Sequence, residues 1–161
     1  MRRRRYLTAA LLAPWMGPAV AQHGRLPHTL ELPQPDGTVW RLSEQRGQAV
    51  LLNFWATWCA PCVSEIPALE TLAAQYAPRG LQVVAINHGE PEATVRRFIE
   101  ASGTRLTVLL DHDATTAKSM HIHTLPTTVG INRAGQVRFV VTGESDWSGA
   151  LASQRINKLF F

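Results

Sequence analysis

The chain has 161 residues, 45% of them apolar, which suits one compact domain with a sizeable core rather than two. Sixteen Lys and Arg stand against 12 Asp and Glu, a formal charge of +4. Arg2, Arg3, Arg4 and Arg5 account for the whole excess, so the remainder is formally neutral. The basic balance is therefore no evidence for nucleic-acid binding, which wants a basic face on the folded domain itself.

The N-terminus has the pattern of an export signal. The four arginines form a positive region, residues 6–20 are mostly apolar, and Ala19-Val20-Ala21 supplies a small-residue cleavage site. We therefore expect residues 1–21 to be a signal peptide and residues 22–161 the mature domain, in the bacterial periplasm or at the outer face of the cytoplasmic membrane. A retained anchor is the alternative, but a span needs roughly 20 apolar residues, and Pro14, Gly17 and Pro18 interrupt a shorter stretch. Arg3-Arg4-Arg5-Tyr6-Leu7 also has the look of a twin-arginine signal, and the export route stays open.

Residues 22–35 are rich in Pro, Gly and His, with one short strand expected at 29–32. Asp36-Gly37 marks a turn before a second strand at 38–42, which predicts a small N-terminal hairpin. Residues 49–56 are apolar or aromatic except Asn53, the pattern of a central strand buried on both faces. Val63, Ile66, Leu69, Leu72, Ala73 and Tyr76 then recur at helical spacing up to Pro78 and Gly80, with Pro67 expected to kink the helix.

A second buried strand is expected at 81–86, a helix at 91–102 with Pro91 in its first turn and Gly103 beyond its end, and a short strand at 106–110. A helix at 113–120 would be capped by Asp111 or Asp113. Strands at 127–131 and 137–142 form a hairpin around Ala134-Gly135, and residues 147–160 close the chain as a helix. Helices between the early strands imply parallel crossovers and the late hairpin is antiparallel, so the sheet is mixed and covered on both faces.

Cys59 and Cys62 are the only cysteines. A disulfide between them closes too short a loop to constrain the unfolded chain, so a redox-active pair explains them better than a structural staple. Cys59 follows the buried strand and opens the helix. There its sulfur meets unsatisfied backbone N–H groups and the positive end of the helix dipole, which favour thiolate over thiol. Thiolate is the attacking species in disulfide exchange, which makes Cys59 the expected nucleophile. Cys62, one turn later on the same face, is placed to resolve the mixed disulfide. A zinc pair would need two further ligands. The candidates His121 and His123 should point to opposite sides of an extended segment, so no metal site is expected. The other histidines, His23, His28, His88 and His112, fall in loops or element ends and are read as surface groups.

The run Val50-Leu51-Leu52-Asn53-Phe54-Trp55-Ala56-Thr57-Trp58-Cys59-Ala60-Pro61-Cys62 resembles the thioredoxin signature. Glu65-Ile66-Pro67, Ala85-Ile86-Asn87 and Leu125-Pro126-Thr127-Thr128 resemble the TlpA/ResA-like branch in particular, and the similarity runs from about residue 30 to the C-terminal helix. It implies an α/β, thioredoxin-like fold with a mixed central sheet flanked by helices and a short N-terminal β-hairpin extension. It further implies that Pro126 is a cis-proline facing the cysteines and that Leu125 offers its backbone to an extended substrate. Glu65 corresponds to an acidic residue that exchanges protons with Cys62, and burial would raise its pKa. Asn53 departs from the general pattern, in which a buried aspartate commonly stands at this place, and this leaves Glu65 as the proton carrier. Trp58, Ala60 and Pro61 would form the docking rim, with Trp55 packing behind them.

The resemblance points to an exported protein thiol-disulfide oxidoreductase, working as a reductase on disulfides of extracytoplasmic proteins such as apocytochrome c. It would be recharged by a membrane thiol donor and need no cofactor. Ala60-Pro61 lacks the histidine that would make the pair a strong oxidant. Two alternatives stand beside it: a thiol peroxidase of the same fold, although the activating Thr and Arg of such enzymes are not seen before Cys59, and a copper-binding redox module using the cysteines and a histidine. The oligomeric state is not readable from the sequence.

Overall fold

The computed structural model describes residues 30–161. The expected signal peptide, His23 and His28 lie outside the described residues.

A two-stranded antiparallel hairpin, β1 (Glu31–Pro33) and β2 (Val39–Arg41), precedes a five-stranded sheet. The sheet comprises β3 (Ala49–Trp55), β4 (Leu81–His88), β5 (Thr107–Asp111), β6 (Thr127–Ile131) and β7 (Val137–Thr142), in the spatial order β5-β4-β3-β6-β7. The helices are α1 (Ala60–Tyr76), α2 (Glu92–Ser102), α3 (Thr115–Ser119) and α4 (Ala150–Asn157). β3, β4 and β5 are parallel, and β6 and β7 run antiparallel, which is the expected mixed sheet.

Every residue of β3 is buried, as its apolar run required. Val50, Leu52 and Phe54 face one side, where Leu32 and Trp40 of the hairpin and Ala117 of α3 cover them. Ala49 and Leu51 face the other, against Leu69, Leu72 and Tyr76 of α1 and Ile156 of α4. The N-terminal hairpin is thus part of the core rather than an appendage, because Trp40 and Leu32 bury apolar area against the central strand.

The differences from expectation lie at element ends. α1 runs on through Pro67, whose ring nitrogen has no proton to donate, and passes into a 3-10 turn, Ala77–Arg79, closed by Gly80 at φ 79°. The last helix begins at Ala150 rather than residue 147. Asp146 Oδ1 accepts bonds from the Ser148 amide at 2.8 Å and hydroxyl at 2.5 Å, and this local turn competes with helix. α3 is shorter than expected, and Asp111 caps it from the end of β5, accepting from the Thr116 and Ala117 amides at 3.1 and 2.9 Å. A 3-10 turn at Leu42–Gln45 was not foreseen.

Candidate active site

β3 ends at Trp55, and the chain turns through Ala56, Thr57 and Trp58 into α1. The Cys59 amide donates to Ala56 O at 3.2 Å, and Cys59 O accepts from the Val63 amide at 3.1 Å. Cys59 therefore sits at the N-cap of α1 with extended backbone angles, φ −91° and ψ 95°. The strand-to-helix junction inferred from the sequence is present.

Cys59 and Cys62 are joined in a disulfide with a Cα–Cα distance of 5.3 Å. Cys59 is 5% exposed and Cys62 fully buried, so an incoming sulfur meets Cys59 first. Trp55, Ala56, Ile66 and Ala85 wall the pair, with Leu125 packed against the same cluster. Trp58 is 70% exposed beside this otherwise apolar patch, Ala60 is exposed and Pro61 half-buried. The Leu125–Pro126 peptide bond is cis. Pairing of Phe54 with Thr127 puts Pro126 at the end of β3 from which the cysteine turn departs.

Glu65, one turn beyond Cys62, is buried. Its Oε1 accepts from the Ser145 amide at 2.5 Å, while Oε2 has no partner. Burial pushes its pKa above the ordinary glutamate value of 4.5. The Ser145 amide and, less strongly, the Trp147 indole and the Asn53 amide pull it down, Glu144 pushes it up, and burial prevails. Asn53 donates through Nδ2 to Thr128 Oγ1 at 3.0 Å, leaving its own Oδ1 buried without a partner.

Two expectations about histidines are corrected. The ring centroids of His121 and His123 lie 6.5 Å apart, not on opposite sides, because residues two positions apart share a face of an extended segment and it is neighbours that alternate. His88, the last residue of β4, is half-buried with Nδ1 enclosed and unpartnered, not a surface group. Among the described residues no three His, Cys, Asp or Glu side chains are grouped to hold a metal ion.

A second buried carboxylate escaped the sequence analysis. Glu90 accepts from the Thr57 amide and the Asn87 side chain, both at 2.7 Å, and from the Thr57 hydroxyl at 2.5 Å. No pattern in the chain links residues 57 and 90, which meet only through the parallel pairing of β3 and β4.

The AhpC/TSA family profile matches residues 24–140. A thiol-disulfide oxidoreductase ResA of Geobacillus kaustophilus is 38% identical over 103 residues, covering 64% of this chain and 59% of that protein. The ResA of Halalkalibacterium halodurans is 35% identical over 125 residues, covering 78% and 71%. The chain thus spans less than two thirds of the length of the first of these relatives. Among solved structures, a candidate thiol:disulfide interchange protein DsbE of Chlorobium tepidum superposes with a TM-score of 0.78 at 29% identity, covering 85% of this chain and 96% of that one. A candidate thioredoxin of Neisseria meningitidis gives 0.73 at 28% identity, covering 81% and 87%.

Proposed function

We propose, from the premise that this chain belongs to the AhpC/TSA family and has the thioredoxin-like fold, that it is an exported protein thiol-disulfide oxidoreductase that reduces disulfides of extracytoplasmic proteins. The observation that carries the proposal is the Cys59–Cys62 disulfide at a strand-to-helix junction, with its more accessible sulfur at the helix N-cap. The ResA relatives support the same reaction class.

The reduced dithiol would act in two steps. The Cys59 thiolate attacks one sulfur of a partner disulfide, forms a mixed disulfide and expels a partner thiolate. Cys62 then gives up its proton and attacks Cys59 Sγ, expelling the second partner thiolate and restoring the Cys59–Cys62 bond. Two electrons pass to the partner, and a membrane thiol donor would return them. Glu65, with one oxygen unpaired and its pKa raised, is suited to take the Cys62 proton. The exposed Trp58, with Ala60, Pro61 and the Leu125 backbone before cis-Pro126, would seat an extended client, and apocytochrome c fits that description.

A Cys62→Ser variant should accumulate mixed disulfides through Cys59 with exported proteins, read as adducts that collapse on reduction. No adduct at all would sink the client reading. Direction is read from the midpoint potential of the couple. A value near −120 mV would mark an oxidant instead. The family match also leaves a peroxidase to be tested, and rapid peroxide oxidation of the reduced protein would favour it.

A further inference from the structure

We propose that Glu90 is a positioning residue for the nucleophile, holding the Thr57-Trp58 turn so that Cys59 stays at the helix N-terminus; the inference deepens the oxidoreductase reading and rests on it. β3 and β4 pair in parallel as far as Trp55 beside Asn87. Beyond Trp55 the chain leaves the sheet, and the Thr57 amide has no strand to donate to. The Glu90 carboxylate takes that place: Oε2 accepts the Thr57 amide and Oε1 the Thr57 hydroxyl, so both donors of one residue are held by one side chain.

Glu90 is itself fixed from outside the turn. Asn87 Nδ2 donates to Oε2, the Glu90 carbonyl lies 3.1 Å from His112 Nδ1, and the preceding Gly89 amide donates to Asp111 O at 3.0 Å. Glu90 is 8% exposed and Asn87 1% exposed, so water competes little for these bonds. The anchor therefore runs from the ends of two parallel strands to a residue two positions before the attacking sulfur. With Thr57 drawn inward, Trp58 is turned outward to the docking rim.

Hydrogen-bond geometry rather than charge is the working feature. A glutamine can reproduce the pattern, with its oxygen at the Oε2 position accepting from Thr57 and Asn87 and its amide donating to the Thr57 hydroxyl oxygen. Alanine can reproduce none of it.

The test compares Glu90→Gln, Glu90→Ala and Thr57→Val by two readouts in the reduced protein: the thiolate titration of Cys59, and the rate constant for reducing a small protein disulfide. Glu90→Ala should raise the midpoint pH of Cys59 and slow exchange about tenfold or more, since misplacing a reacting group costs up to about a hundredfold. Glu90→Gln should stay within about threefold of the parent rate, a margin of under 1 kcal/mol. If alanine proves too unstable to purify, Thr57→Val, which removes one bond, should move both readouts in the same direction by less. Loss of thermal stability with unchanged titration and rate would overturn the inference, as would a glutamine variant as slow as alanine. The titration needs no partner, so an absence of protein exchange in the parent sinks the oxidoreductase reading while leaving the role of Glu90 still measured.

Discussion

Two buried glutamates flank the cysteine pair, and their surroundings are opposite. Glu65 accepts one formed hydrogen bond, from the Ser145 amide, with the Trp147 indole and Asn53 amide near but its second oxygen unbonded, while Glu90 has three donors shared between its two oxygens. A buried carboxylate short of donors is cheaper to hold protonated, and burial accordingly raises the pKa of Glu65. A carboxylate whose acceptor sites are filled is a fixed point for whatever donates to it. Counting formed bonds thus suits Glu65 to the proposed proton transfer and Glu90 to the proposed anchoring, where residue type and burial do not distinguish them.

The largest effect that would sharpen this contrast is on turnover. Glu65→Gln keeps the acceptor for Ser145 but cannot take a proton, so exchange at neutral pH should fall by about a hundredfold, the lower range for losing a general base. Its rate should also lose the parent's dependence on the Glu65 titration, whereas Glu90→Gln should keep that dependence. Equal losses in the two glutamine variants would erase the distinction.

Next comes Asn53→Asp, which restores the carboxylate common in thioredoxins and sets it beside Glu65. Two buried acids without further donors should lower stability at pH 7 by about 1 to 3 kcal/mol, read from urea unfolding, with the loss shrinking under acid conditions as one is protonated. An unchanged midpoint would mean that the pocket is wetter than its burial implies.

The pH dependence of stability gives a smaller effect of definite sign. Folded Glu65 holds its proton more tightly than the unfolded residue, so the native state binds more protons as pH climbs above 4.5. Its contribution should therefore be fully present below that value and decline up to the raised native pKa, with no further change beyond it. Glu65→Gln should flatten this limb of the curve. The smallest change is expected at the exposed Glu92–Arg96 pair on α2, at 2.7 Å, where a double-mutant cycle should give no more than about 0.5 kcal/mol. The short distance there does not compensate for solvent screening.

Much of the fold was legible along the chain because each strand and helix announced itself locally. β6 and β7 begin and end where expected, since β-rich runs on either side of Ala134-Gly135 specify a hairpin without distant help. The cysteine pair, cis-Pro126 and the shifted Glu65 were legible too, the last two through resemblance. The start of α4 was misjudged because side-chain bonds from Asp146 outweigh helical periodicity there. The sides taken by His121 and His123 were misjudged because alternation separates neighbours, whereas residues two positions apart share a side.

The chain by itself determined where the paired sulfurs lie and why Cys59 is the expected nucleophile, because a buried strand running into a helix is written in contiguous residues. Only the tertiary structure decided what each acid is bonded to: Glu65, already singled out by resemblance, keeps one oxygen unpartnered, and Glu90, which no motif marked, takes both donors of Thr57. Those roles depend on donors from Ser145, 80 positions beyond Glu65, and from Thr57, 33 positions before Glu90. Such partners meet through sheet pairing and loop packing, and a one-dimensional pattern carries no record of that meeting.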